Sequence, residues 1–353
     1  MRVQIDGIIF SLQKHGGITT YFREMLRRYR PEHGVCLTLD QPIQQVFSEA
    51  DLPAVERVDR KSRRLERMRC ARSPIGQHFD IYHSTYYRRP VDAMIPSVVT
   101  VHDFVYQRFV RGLRKWRHQL HMVGAIQQAQ HIICISEATR QDLVEFVPIR
   151  PEQQVSVIYH GVSDFFYPLD NLGLPTPIES NRPFMLFVGQ RGGYKNFSLA
   201  LSALSLLPDF ELHCVGGGPL SSEELSAVPA STKNRVRHLG FVDDTRLNHL
   251  YNQALCLLYL SLYEGFGIPV LEAMRAGCPV VCVDCKAVIE IGGEALCVSD
   301  DASDPASLAK AVMVTTEPQT RAKMQGLGLE RAQQFSWDRC FDQTIAIYRS
   351  LLP

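Results

Sequence analysis

Residues 261–283 read SLYEGFGIPVLEAMRAGCPVVCV. Glu264 and Glu272 are separated by seven residues. Gly265 and Gly267 bracket a turn between them. Pro269 suits the start of a helix, because its missing N–H would have no partner there anyway. The amides of Phe266, Gly267 and Ile268 then point out of the helix end, where free N–H groups and the helix dipole attract an anion. After Gly277 the apolar run Pro279–Val283 predicts a buried parallel strand.

A carboxylate beside an anion is unfavourable unless it has donors to accept from, and sugar hydroxyls are ready donors. The stretch therefore predicts a phosphate flanked by two polyols, the outline of a nucleotide sugar. The alternative is an ordinary loop, helix and strand with both glutamates solvated.

Outward from this stretch, apolar strand-like runs alternate with helical patterns, which predicts an α/β fold of parallel layers. In the first half the strands are expected at Val3–Phe10, Val35–Leu39, Ile81–His83, Val98–Val101, Ile132–Ile135 and Val155–Ile158. In the second half they are expected at Phe184–Val188, Glu211–Val215, Val236–Leu239, Ala254–Leu260, Pro279–Val283 and Ala295–Val298. Proline, glycine and polar residues replace the periodicity over 167–183. The expected organisation is a domain over 1–166, a linker over 167–183, a second domain over 184–336 and a final helix over 337–353.

The 353 residues are enough for two cores, and 45% hydrophobic and 21% charged residues are ordinary for a globular protein. A net charge of +1 gives no global field for nucleic acid. No apolar run reaches the roughly 18–20 residues that span a bilayer, and the N-terminus lacks a signal-peptide layout. The ten cysteines are scattered through apolar segments. Cys278, Cys282 and Cys285 have no second cluster to complete a zinc site. A reduced, cytoplasmic protein is the expectation.

The second-half loop Val188–Phe197 (VGQRGGYKNF) follows its strand directly. Its glycines let the backbone approach a ligand, and Arg191 and Lys195 supply two cations. Fixed cations aimed at a departing diphosphate would stabilise its developing charge; the alternative is a solvated β–α turn. Val215–Pro219 (VGGGP) is a second glycine turn after a strand. His15-Gly16-Gly17 opens a first-half helix in the same manner. His102 and Asp103 end an apolar strand, where ligands of open α/β sheets bind. Ser136 is expected to cap a helix. The segment Arg57–Arg72 carries eight basic and two acidic residues. It reads either as a solvated loop or as a contact for an anionic acceptor or an acidic membrane surface, and Arg108–Arg117 adds a second basic cluster.

The pattern [ST]-x-x-E-G-F-G-x-P-x-x-E-A-x-x-x-G resembles the E-x7-E region of retaining glycosyltransferases of family 4. That resemblance implies the GT-B fold, two Rossmann-like domains facing across a cleft, with a C-terminal helix crossing back to the N-terminal domain. It implies a nucleotide-sugar donor held mainly by the second domain: ribose on Glu272, diphosphate on the 266–268 amides with Arg191 and Lys195, and hydroxyls of the transferred sugar on Glu264. Gly16 and Gly17 would approach the donor phosphate, and His102 would touch the transferred sugar near its reacting centre. Many relatives carry Asn-Gly-Val where this chain has His160-Gly-Val, so nothing passes to His160. The resemblance implies retention of configuration, and no D-x-D motif calls for a metal or other cofactor. The loop around Lys195 is similar to bacterial mannosyltransferases of surface-polysaccharide assembly. GDP-mannose is therefore the first donor expected, a UDP-sugar the second, and a saccharide or lipid-linked sugar the acceptor. A nucleotide-sugar epimerase or a scaffold without turnover are the alternatives. Neither glycine cluster fits the dinucleotide fingerprint G-x-G-x-x-G.

Overall fold

The computed structural model describes residues 1–41, 52, 54–63, 65–169, 182–226 and 228–352. The chain forms two compact units, Met1–Gly161 with Trp337–Pro353, and Val162–Ser336. The first unit holds a seven-stranded sheet of β1 (Val3–Asp6), β2 (Val35–Gln41), β3 (Val55–Lys61), β4 (Ile81–Ser84), β5 (Ser97–Val101), β6 (His131–Cys134) and β7 (Gln154–Val157), in the order β3-β2-β1-β4-β5-β6-β7. The second holds β8 (Phe184–Val188), β9 (Glu211–Val215), β10 (Val236–His238), β11 (Cys256–Tyr259), β12 (Val280–Cys282) and β13 (Leu296–Val298), in the order β10-β9-β8-β11-β12-β13. Every pairing between these strands is parallel.

The central strands are buried on both faces, as helical crossovers require. In β1 and β5 every residue is buried, and Val3 lies between Val35 and Ile81. Each fully buried Val, Ile, Leu or Phe adds about 1.5–3 kcal/mol to such a core.

The sequence expectations need correcting in three places. The first strand ends at Asp6 rather than Phe10, and Ile9–Leu12 is a helical turn. Gly7 lies against β2 so closely that a Cβ there would stand 2.7 Å from Leu39. The chain turns at that residue, with Phe10 N–H donating to the Gly7 carbonyl. Second, much of the basic segment is not a loop: Val55–Lys61 is an edge strand paired with β2 through seven residues. Third, the first unit ends at Gly161. Phe166 packs edge-on to Tyr251 at 5.8 Å, and the amides of Tyr167 and Leu169 donate to the side chains of Asn248 and Asn252. Residues 170–181 of the expected linker lie outside the described residues.

Beneath β1 and β2 the basic segment enters a buried ionic cluster. Arg88 donates to Asp6 at 3.0 Å, Asp40 at 2.6 Å and Glu66 at 2.8 Å, and all four side chains are buried. Arg63 makes a two-pronged contact with Glu66, and Arg60 lies 3.6 Å from Asp40. Burial pushes the Asp6 carboxyl up to about 6 despite the opposing Arg88 charge. The bonds from Arg63, against the cost of burial, hold Glu66 down at about 2.

The final helix, Trp337–Ser350, returns to the first unit. It lays Trp337, Cys340, Phe341, Thr344, Ile345 and Tyr348 inward at helical spacing. Tyr348 hydroxyl meets Nδ1 of His83, whose Nε2 is 2.9 Å from the Thr100 hydroxyl. His160 is sandwiched between Tyr21 (ring centroids 4.9 Å apart) and Trp337 (5.4 Å). Burial depresses both histidines to about 3, so each is a neutral ring at physiological pH. Among the described residues no helix is long and apolar enough to cross a membrane.

Candidate active site

At the carboxyl end of β11 the chain crosses Ser261–Gly267 and enters the helix Ile268–Arg275. Gly267 is the N-cap with φ of 123°, a conformation that a side chain would strain. Pro269 sits second in the helix, one position later than expected. Pro269 has no N–H, Val270 N–H donates back to the Gly267 carbonyl at 3.0 Å, and the helix dipole leaves this end electropositive.

Two carboxylates lie along this segment with different partners. Glu264 pairs with the Lys195 ammonium. The turn Gly193–Lys195 reaches it because Leu262 N–H donates to the Tyr194 carbonyl at 2.8 Å. Burial, then the neighbouring Glu264 charge, raises the phenol of Tyr259 at the end of β11. Glu272 lies one helical layer further in, where the buried Tyr251 hydroxyl donates to it at 3.0 Å. The structure thus brings Lys195 to Glu264 and places Glu272 on the helix that the glycine turn opens. Neither tyrosine was singled out in the sequence. Both occupy apolar stretches where an aromatic ring reads as core.

Arg191 does not join this group. Its Nε donates to Glu224 at 2.8 Å, Nη1 to the Gly216 carbonyl at 2.9 Å, and Nη2 to the carbonyls of Gly218 at 2.7 Å and Pro219 at 3.0 Å. All three guanidinium nitrogens thereby donate within the second unit, and Arg191 clamps the VGGGP loop. Gly216, Gly217 and Gly218 all have φ between 72° and 77°, and a Cβ on Gly217 would stand 2.7 Å from Arg191. Only glycine permits that run of conformations under the guanidinium.

In the first unit, Gly16 caps the helix Gly17–Arg28 with φ of 154°, and Gly17 opens it. Nothing lies within 4 Å of a Cβ built on Gly17. His102 follows β5 but is only 5% exposed, with its ring edge-on to Tyr21 at 5.3 Å. Burial, then the neighbouring His160 and His83, holds it well below its ordinary pKa. It is therefore neutral, and its Nε2 is buried without a hydrogen-bond partner among the described residues. Ser136 caps Glu137–Phe146 as expected, accepting from Thr139 N–H. The ten cysteines are free thiols, and among the described residues no three His, Cys, Asp or Glu side chains gather as a metal site.

Two family models divide the chain between them: Glycosyltransferase Family 4 over residues 15–164 and Glycosyl transferases group 1 over 172–325. The chain is a family 4-like glycosyltransferase of the GT-B fold. This glycosyltransferase is 29% identical over 265 residues to O-antigen chain mannosyltransferase B of Escherichia coli, covering 72% of this chain and 68% of the relative. It is 28% identical to the alpha-maltose-1-phosphate synthase of Mycolicibacterium smegmatis, with 73% of each chain covered. The crystal structure of Anabaena HepE in complex with UDP-glucose shares the fold, with TM-score 0.73 at 17% identity over 99% of this chain and 100% of that one. These relatives favour sugar transfer over the epimerase and scaffold alternatives.

Proposed function

We propose that this enzyme moves a hexose from a nucleoside-diphosphate sugar, GDP-mannose first and a UDP-sugar second, to a saccharide or lipid-linked saccharide in bacterial surface-polysaccharide assembly. The observation that carries the reading is the Lys195–Glu264 pair beside the glycine-capped helix that bears Glu272. The helix N-terminus and Lys195 hold the diphosphate, Glu272 accepts from the ribose hydroxyls, and Glu264 accepts from hydroxyls of the transferred sugar. Arg191 acts indirectly, by fixing the VGGGP loop. The anomeric C–O bond to the β-phosphate breaks as the acceptor oxygen bonds on the same face. The acceptor proton passes to the departing phosphate, configuration is retained, and no metal or other cofactor takes part.

A thermal-shift panel of GDP, UDP, ADP and dTDP, each with and without EDTA, tests the donor. At about 100 times its dissociation constant a nucleotide adds about 2.7 kcal/mol, or roughly 2–4 °C. A shift by GDP alone, unaffected by EDTA, is the expected result. Silence from all four nucleotides would contradict the reading.

The proposal includes peripheral contact with an anionic membrane, made by the helix Gly112–Gln128 instead of the 57–72 segment. Leu113, Trp116 and Leu120 fall on one stripe of this helix and are 78%, 59% and 53% exposed. From Phe104 to Ser136 the sequence has no Asp or Glu. Arg111 and Lys115 have no carboxylate partner among the described residues. An apolar stripe with basic flanks suits an anionic surface. The other tryptophan, Trp337, is buried, so a spectral change reports on Trp116. A blue shift is expected with phosphatidylglycerol vesicles at low salt, and none with phosphatidylcholine. Emission that ignores the anionic vesicles would remove the contact.

A further inference from the structure

A cavity lies wholly within the first unit, at the carboxyl ends of β4 and β5, where ligands of open α/β sheets bind. Its empty space is about 660 Å³, open solvent included. Tyr86 and Tyr87 enter from the end of β4. Tyr87 holds φ of 51°, a conformation that a bulky residue keeps only where its surroundings impose it. Tyr106 comes from the segment after β5 and stacks on His118 with ring centroids 4.0 Å apart and planes 9° from parallel. Tyr86 hydroxyl lies 3.2 Å from His118 Nε2. Burial lowers His118 to about 4, so the stacked pair is an uncharged aromatic wall.

The charge is elsewhere on the lining. Arg67, Arg114 and Arg117 border the cavity, and none pairs with a carboxylate among the described residues. The contact recorded for Arg117 is with the Met68 sulfur at 2.9 Å. Three unneutralised guanidinium groups around one opening suit a polyanion, because a single carboxylate would balance only one of them. Aromatic faces with polar edges suit a sugar ring. Burial, then the nearby Asp103 charge, raises both the Tyr86 and Tyr87 phenols.

We propose that this cavity binds a phosphorylated sugar, its ring against the tyrosines and its phosphoryl group among Arg67, Arg114 and Arg117. The inference rests on the transferase reading and deepens it by naming the chemical class of the acceptor. Calorimetric titration tests it with mannose 1-phosphate, mannose and inorganic phosphate as probes, each at a saturating concentration of the donor nucleotide so that the donor site is filled. Mannose 1-phosphate should bind at least tenfold more tightly than mannose or phosphate alone. Arg114→Ala with Arg117→Ala should weaken it at least tenfold, with nucleotide affinity kept within twofold as the control for folding. Tyr106→Ala should weaken mannose 1-phosphate and leave inorganic phosphate unchanged. Phosphatidylglycerol vesicles, which offer phosphate without a sugar, should not displace the probe. Equal affinity for phosphate and mannose 1-phosphate, indifference to the arginine substitutions, or displacement by the vesicles would each overturn the assignment. If no nucleotide binds while mannose 1-phosphate still does, the donor reading fails and the cavity stands.

Discussion

Lys195→Ala should lower kcat by about 10²–10³-fold, the size of effect seen when one fixed donor to a transition-state charge is removed. In the protein without donor, Lys195 is paired with Glu264. When the diphosphate arrives the ammonium must serve both, and its share in the phosphate grows as the glycosidic bond lengthens. The loss should therefore fall mainly on kcat. KM should rise as well, because the variant leaves Glu264 facing a dianion with its cation gone. Adding Glu264→Gln to Lys195→Ala removes that repulsion and should restore part of the donor affinity without restoring turnover. Steady-state kinetics on the two single variants and the double variant measure the coupling directly. A Lys195→Ala enzyme with kcat near that of the parent would show that the lysine merely holds Glu264 in place.

Arg88→Ala should destabilise the first unit by about 3–5 kcal/mol, the cost typical of removing one member of a buried ionic cluster. The guanidinium bonds to Asp6, Asp40 and Glu66, and its Nε donates to the Arg69 carbonyl. Without it, three buried carboxylates remain against Arg60 and Arg63. The loss should also depend on pH, with a definite sign. Asp6 is already raised to about 6 in the intact protein, and losing Arg88 raises it further. The folded variant then takes up a proton that the unfolded chain, titrating near 4, does not. Folding with more bound protons gains stability as pH falls, so the deficit should shrink between pH 7 and pH 5. Urea denaturation followed by a probe in the first unit, at both pH values, measures this. A deficit below about 1 kcal/mol at pH 7 would mean that water already relieves the cluster.

The glycine and proline signals around Glu264 and Glu272 were legible because they are local. A glycine cap, an early proline and a carboxylate on the second turn specify a helix entrance without reference to the rest of the chain. The central strands were legible for a similar reason, since burial on both faces leaves largely apolar runs. The edge strand β3 was not. Its sequence, VERVDRK, alternates exposed charges with two half-buried valines, and only pairing with β2 makes it a strand. Arg191 shows the other limit. A cation beside glycines reads as a phosphate ligand, and nothing local reveals that carbonyls some 25 residues later take up its donors. The anchors of the last helix were hidden likewise. His83 and His160 are far in sequence from Tyr348 and Trp337, and nothing local links them.

The central claim is that Glu272 holds the ribose of the donor beside a diphosphate bound at the Ile268–Arg275 helix. It is tested most directly by calorimetry of GDP and 2′,3′-dideoxy-GDP on the parent protein and on Glu272→Ala. A hydrogen bond to a charged group is worth about 1.5–3 kcal/mol, so the parent should prefer GDP by about 10- to 100-fold. Glu272→Ala should lose that preference and bind both nucleotides about equally, at the affinity the parent shows for the dideoxy form. A variant that still prefers GDP by the parent's margin would place the ribose elsewhere and contradict the account.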